Sequence, residues 1–236
     1  MSTINLFILL FAVFVLPFQI EAQSRKRFSP KQRFEAGLIL GVTAGQMDGD
    51  DFTGYDKLGI IGGVQGVVLL NRHLNLAMEL LYAQRGTKVE HDSNFSSTKD
   101  RIMQLNFAEV PFLLQIQLNE PTVERKTVLT LETGLSYGRL LSTQIEEQPN
   151  RLQRTFTDIQ DDFRTSEISA VIGLSAEIVS KLNLGFRSTT ALSRFYKNEE
   201  LFGKPITNAN VFSPQSRPYT FLRNYYLTFY ASYTLY

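Results

Sequence analysis

Apolar and polar residues alternate with a period of two through most of the chain. In residues 74–86, Leu74, Leu76, Met78, Leu80 and Tyr82 fall on one face of an extended segment, and Asn75, Ala77, Glu79, Ala83 and Arg85 fall on the other, with Leu81 alone out of step. Residues 224–235 repeat the pattern: Tyr225, Leu227, Phe229, Ala231, Tyr233 and Leu235 are set against Asn224, Tyr226, Thr228, Tyr230, Ser232 and Thr234. Near the start, Phe34, Ala36, Leu38, Leu40 and Val42 oppose Glu35, Gly37, Ile39, Gly41 and Thr43. Residues 102–118, 127–141, 167–178 and 182–195 behave alike, with Glu109, Gln115, Glu132, Glu167, Glu177 and Arg187 all on polar faces. Residues 58–70 also predict a strand, but Ile60, Ile61, Val67 and Val68 put apolar groups on both faces and leave its orientation open.

Eight such strands of about 12 to 16 residues are longer than those of ordinary soluble sheets, and a tilted strand crossing a bilayer has this length. Every backbone group must be paired in lipid, so the sheet has to close, and eight strands close around an interior that side chains just fill. The links support the same reading, because they alternate. Those at 46–56, 87–100, 142–165 and 197–219 are long, whereas those at 71–73, 119–126 and 180–181 are shorter. Short periplasmic turns and long outer loops are the habit of outer-membrane barrels. The fold expected is therefore all-β: an eight-stranded antiparallel up-and-down transmembrane β-barrel with both termini on the periplasmic side. Pro111 lies inside a strand with neighbours on both sides, where its missing N–H predicts a bulge or a local break.

Ahead of the alternating region, Leu6 to Phe18 is almost wholly apolar and gives way to a polar stretch with a small residue at Ala22. That pattern predicts a secretory signal peptide over 1–22, a periplasmic tail over 23–32 and the barrel over 33–236. The absence of cysteine excludes zinc-cysteine modules, disulfide scaffolds and a lipid-anchored cysteine at the cut. The 236-residue chain carries a formal charge of +1, and Glu21 is the one charged residue before Ala22. Near-neutrality gives no electrostatic basis for binding nucleic acid. Eighteen Phe and ten Tyr suit a molecule with a lipid-facing surface and aromatic girdles, at which Tyr225 and Tyr233 are well placed.

Two runs carry a family resemblance: Glu79-Leu80-Leu81-Tyr82-Ala83-Gln84-Arg85-Gly86, and, some twenty residues on, Leu105-Asn106-Phe107-Ala108-Glu109-Val110-Pro111. With Gly37-Leu38-Ile39-Leu40-Gly41 and the loop from Asp48-Gly49-Asp50 to Gly54-Tyr55, they resemble the Bacteroidetes outer-membrane β-barrel family often labelled PorT-like. Where its members usually carry Tyr in the second motif, this chain has Phe107. The resemblance implies an eight-stranded barrel in the outer membrane with no shared enzymatic activity. The family name is taken from a component of the type IX secretion system.

If polar faces turn inward, Glu79, Arg85, Glu109, Glu132, Glu177 and Arg187 enter a narrow lumen, where unpaired charge costs several kcal/mol. They must pair, and a structural plug of ion pairs is the expected role. His73 and His91 are the only histidines and are assigned to opposite ends of the barrel, which leaves a Ser–His lipid hydrolase without its parts. Asp48-Gly49-Asp50-Asp51 lacks the ligand spacing of a calcium loop, and Arg25-Lys26-Arg27 reads as part of the tail. No metal, cofactor or catalytic residue is expected. Phe156, Ile159, Phe163, Leu201, Phe202, Ile206 and Phe212 in the long loops can pack over the barrel mouth. The function expected is a non-enzymatic envelope protein, structural or partner-binding through its outer loops. Its partners would be membrane lipid and other outer-membrane or secretion-system proteins. A lipid-modifying barrel enzyme and a narrow solute channel are the alternatives.

Overall fold

The alternating segments pair edge to edge with their nearest sequence neighbours. The computed structural model describes residues 33–49, 54–89, 101–119, 127–147, 156–197 and 221–235. Its strands are β1 Phe34–Asp48, β2 Lys57–Leu69, β3 Leu74–Val89, β4 Arg101–Gln117, β5 Leu129–Glu146, β6 Ser166–Val179, β7 Leu182–Ala191, β8 Tyr196–Lys197 and β9 Phe221–Thr234. Each long strand runs antiparallel to the next, and β1 pairs with β9 from Gly37↔Thr234 to Asp48↔Arg223, so eight long strands close a barrel with no free edge. The two-residue β8 is an extra rung on β9 through Tyr196↔Leu222 and Lys197↔Phe221. Residues 182–195 were expected as one strand; β7 instead stops at Ala191, and the chain bends before β8.

Side chains follow the alternation. Leu40 on β1 is 71% exposed and Leu58 on β2 is 70% exposed, while their odd-numbered neighbours Ile39 and Ile61 are buried. This settles β2: Leu58, Ile60 and Val64 face outward, and Ile61 and Val67 face the lumen. Outward apolar positions on β1 run from Phe34 to Ala44. Ten residues of a strand tilted about 40° rise roughly 25 Å, the height of the apolar band of outer-membrane barrels. Leu81, out of step in the sequence, is inward because it packs with Ile39, Ile61, Ala83 and Tyr230 in an apolar layer inside the barrel. A second layer of Val67, Ala77, Leu113 and Val171 lies elsewhere along the lumen.

β4 passes through Pro111 without ending. Pairing with β3 is lost at Glu79 and Leu80, opposite Pro111 and Val110, and resumes in the same register, while Pro111 stays paired with Ser136 on β5. A local break therefore stands where the missing N–H would have faced β3. The bulge lies higher on β4–β5: Phe107 faces Leu140 and Asn106 faces Ser142, which leaves Leu141 as the extra residue. Leu140 then packs inward and Leu141 is exposed.

Toward the long-loop end the wall draws in. Pairing of β2 with β3 stops at Ile61↔Ala83, and beyond it the Thr43 hydroxyl of β1 donates directly to the Gln84 carbonyl of β3. Gly86 sits at φ +144°, where a Cβ would lie 1.9 Å from the Met103 carbonyl oxygen, so only glycine fits. Above this level Met47, Met103, Leu105 and Phe107 meet Phe156, Phe163, Phe195, Tyr196 and Leu222 in a buried apolar cap. A short 3-10 helix, Thr157–Asp162, crosses here, and Ile159 packs against the cap. The Glu147 carboxylate holds the start of this helix by accepting from the Phe156 N–H at 3.1 Å, the Thr157 N–H at 2.8 Å and the Thr157 hydroxyl at 2.7 Å. Leu201, Phe202, Ile206 and Phe212 lie outside the described residues, as do residues 1–32.

Candidate functional site

Inward positions on five strands bring the charged residues together beneath the cap. Arg187 of β7 reaches across the lumen to Glu79 of β3 with two parallel bonds, Nη1 to Oε2 at 2.7 Å and Nη2 to Oε1 at 2.8 Å. Its Nε donates to Glu132 Oε2 of β5 at 2.6 Å, and its guanidinium lies 4.2 Å from the Tyr230 ring centroid. The Tyr230 hydroxyl donates to Glu132 Oε2 at 2.8 Å, while Gln115 and Ser175 each donate to Glu132 Oε1 at 3.2 Å.

A second set gathers around Arg85 of β3. Its Nη2 lies 2.7 Å from Glu109 Oε1 of β4, and its Nη1 lies 2.5 Å from Glu167 Oε1 of β6. The Phe107 and Tyr226 rings flank the guanidinium, with centroids at 3.9 and 4.7 Å. The Tyr226 hydroxyl donates to Glu109 Oε2 at 2.7 Å, Asn224 to Glu167 Oε2 at 2.7 Å, and Ser169 to Glu167 Oε1 at 3.1 Å.

All four carboxylates, Glu79, Glu109, Glu132 and Glu167, are 1% exposed. Each has an arginine, and all but Glu79 also receive hydroxyl or amide donors. Removing an ion from water costs several kcal/mol, which pairing offsets only where the remaining lone pairs are also met. The Tyr, Ser, Gln and Asn donors on neighbouring strands meet them at Glu132, at Glu167 and at Oε2 of Glu109, while Glu109 Oε1 and Arg85 Nε, close to each other in the second set, are buried without a hydrogen bond. Space for the long side chains comes from inward glycines. A Cβ on Gly173 would lie 2.6 Å from Arg187 Cγ, and one on Gly138 3.0 Å from Arg85 Nη2; on Gly185 it would lie 2.2 Å from Tyr230 Cζ. Between the two sets is a cavity of about 10 Å³ bordered by Glu109, Arg187, Thr189 and Tyr226, room for roughly one water.

Five of the six residues singled out in the sequence therefore lie in these two sets. Glu177 does not: it is only partly buried, and its Oε1 accepts from the Lys181 backbone N–H at 3.2 Å in the β6–β7 turn. Glu167 takes the fourth carboxylate position. It shares the polar face of the same strand, at its second residue, and the sequence reading placed it on that face without adding it to the lumen charges. Tyr226 and Tyr230 were legible only as members of a hydroxyl-rich face.

His73 is exposed in the β2–β3 turn, its backbone N–H donating to Asn71 Oδ1 at 2.8 Å, and His91 lies outside the described residues. Arg25, Lys26, Arg27, Asp50 and Asp51 are also outside them, while Asp48 pairs with Arg223 at 3.1 Å. Among the described residues no three His, Asp or Glu side chains gather as metal ligands do.

Several solved outer-membrane barrels resemble the chain. Ail, the attachment invasion locus protein of Yersinia pestis, solved in complex with the heparin analogue sucrose octasulfate, is 9% identical with a TM-score of 0.43, covering 86% of this chain and 100% of its own. OprG from Pseudomonas aeruginosa is 7% identical with a TM-score of 0.40, covering 86% and 94%. The N-terminal β-barrel domain of Pseudomonas aeruginosa OprF is 10% identical with a TM-score of 0.37, covering 86% and 100%. No curated protein matches the sequence. The family model described as outer membrane protein beta-barrel domain matches residues 21–197, well over half of the 236 residues, and the chain belongs to that family.

Proposed function

We propose that the protein is a non-enzymatic outer-membrane barrel whose filled body is a rigid mount and whose long-loop end meets a partner in the cell envelope. The observation that carries this reading is the lumen: Arg187 and Arg85 tie opposite walls together, and an apolar cap lies above them. The interior surface is thereby used up, which leaves the two ends and the lipid-facing wall for recognition. In this reading the buried charges are structural, the short-turn end faces the periplasm, and residues 1–22 direct export.

Membership of the PorT-like branch is supported by Arg85 and Glu109. They come from the two resembling motifs and face each other at 2.7 Å, so the motifs encode the lumen network and not a shared activity. The partners are then outer-membrane or secretion-system proteins. The test is co-purification from detergent-solubilised envelopes of the tagged chain and of a variant with residues 148–155 replaced by a Gly-Ser linker. Specific envelope proteins retained by the first and lost from the second, with both still heat-modifiable on gels, are the expected result. Release of fatty acid from outer-membrane lipid, or unitary ion conductance in planar bilayers, would replace this reading with the enzyme or the channel.

A further inference from the structure

We propose that the place of Phe156 in the apolar cap is a binding site for a small aromatic molecule, kept closed by the chain's own ring and by a latch at Glu147. The surroundings of this place are carried by the strand ladder. Met47 of β1, Met103, Leu105 and Phe107 of β4 and Leu222 of β9 are fully buried there, and Phe195 is tied to Leu222 by a backbone bond of 2.8 Å. Phe156 joins the same cluster from outside the ladder, at the head of the short 3-10 helix. Its side chain is fully buried, yet Thr157 beside it is exposed, so the ring that closes the site is one residue from water.

The local sequence is wrong for a helix start and right for a plug. Phe156 holds the N-cap position, where Ser, Thr, Asn or Asp would place a side-chain oxygen on the free N–H groups, and it has no such oxygen. Glu147, just past the end of β5, supplies the acceptors from a distance in sequence: Oε2 takes the Phe156 N–H itself, and Oε1 takes the Thr157 N–H and hydroxyl. The other end of the segment is fixed to the wall. The Phe163 ring lies 4.5 Å from the Phe195 ring centroid, and the Arg164 N–H donates to the Phe195 carbonyl at 2.9 Å. Release at Glu147 therefore frees the Phe156 end and leaves Phe163 behind as part of the site. The cluster that remains holds the rings of Phe107, Phe163 and Phe195, which an incoming ring can meet offset or edge-on. Met47 and Met103, unbranched and polarizable, let the lining follow the outline of a one- or two-ring molecule. Burial of the ligand replaces burial of Phe156, so the exchange is opposed chiefly by the bonds to Glu147.

The methionines supply the readout. Among the described residues Met47 and Met103 line the cap, whereas Met78 faces the lipid at 54% exposure. The test uses the full exported chain in nanodiscs, with carbon-13 in the methionine methyl groups, titrated with indole and followed by NMR. Indole should shift the Met47 and Met103 signals saturably, and the Met78 signal only in proportion to the indole dissolved in the bilayer. A ligand that binds the open form alone has its apparent affinity scaled by the open fraction, which the latch sets. Glu147→Ala should therefore tighten indole binding at least about tenfold, the factor that one charge-assisted hydrogen bond is worth. Equal affinity in the two proteins, or no saturable shift at Met47 and Met103 in Glu147→Ala, overturns the proposal. Should Glu147→Ala fail to fold, Phe156→Ala decides: with the plug removed and the backbone bonds to Glu147 kept, it should bind indole more tightly than the unaltered protein, and failure to do so overturns the proposal as well.

Discussion

Arg187 satisfies two carboxylates that have no other cation, so its loss leaves Glu79 and Glu132 facing each other in a closed lumen. Breaking a buried ion pair by removing one partner costs about 3–5 kcal/mol, chiefly the price of the stranded charge. Arg187→Gln should lower stability by that amount in reversible urea unfolding in phospholipid vesicles, while Glu177→Gln should stay within about 0.5 kcal/mol because its carboxylate is only partly buried at a turn. Equal effects would mean that the lumen pairs add nothing beyond solvated surface charge. The identity of the charged residues was legible because each sits on a polar face of fixed parity. Which of them touch was not, since strand parity says nothing of height. Glu167 and Glu177 share a face of β6 ten residues apart, and only the stagger of β3 against β6 carries Arg85 to the first of them.

Strands differ in how much their sequences disclose. The lipid-facing side of every long strand but β2 was readable from period two, because hydrocarbon demands an unbroken apolar series on that side. The lumen side accepts Leu81 and Ile61 as readily as Glu79, so β2 and β3 blur there. The bulge at Leu141 has no proline or glycine to announce it and follows from the need to bring Leu140 under the cap. Gly86, by contrast, stands in a quoted motif for a reason the backbone supplies. At φ +144°, with the Met103 carbonyl 1.9 Å from where a Cβ would be, an alanine must move both strands. Gly86→Ala should cost roughly 1–3 kcal/mol or more and delay the gel shift of the folded form, whereas Gly66→Ala, with nothing within 4 Å of its added carbon, should be silent. A neutral Gly86→Ala would show that β3 does not need its close approach to β4.

For the molecule as a whole, the arrangement of layers decides what can cross it. A solute entering at the long-loop end meets the cap of Phe156, Phe163 and Phe195 first, and then Arg85 and Arg187 with their carboxylates. The cap is held by apolar packing and by one short helix, Thr157–Asp162, whose start is anchored by Glu147, with no ion pair among the cap residues themselves. The charged layers are held differently, since each arginine is bonded to walls on different sides of the barrel and parting them would expose unpaired ions. The double variant F156A/F163A should therefore leave the barrel as non-conducting as the unaltered protein in planar bilayers, although it loses roughly 3 kcal/mol or more of packing. Unitary conductance steps appearing in that variant would mean that the ion pairs do not seal the lumen and that the loop segment is its gate.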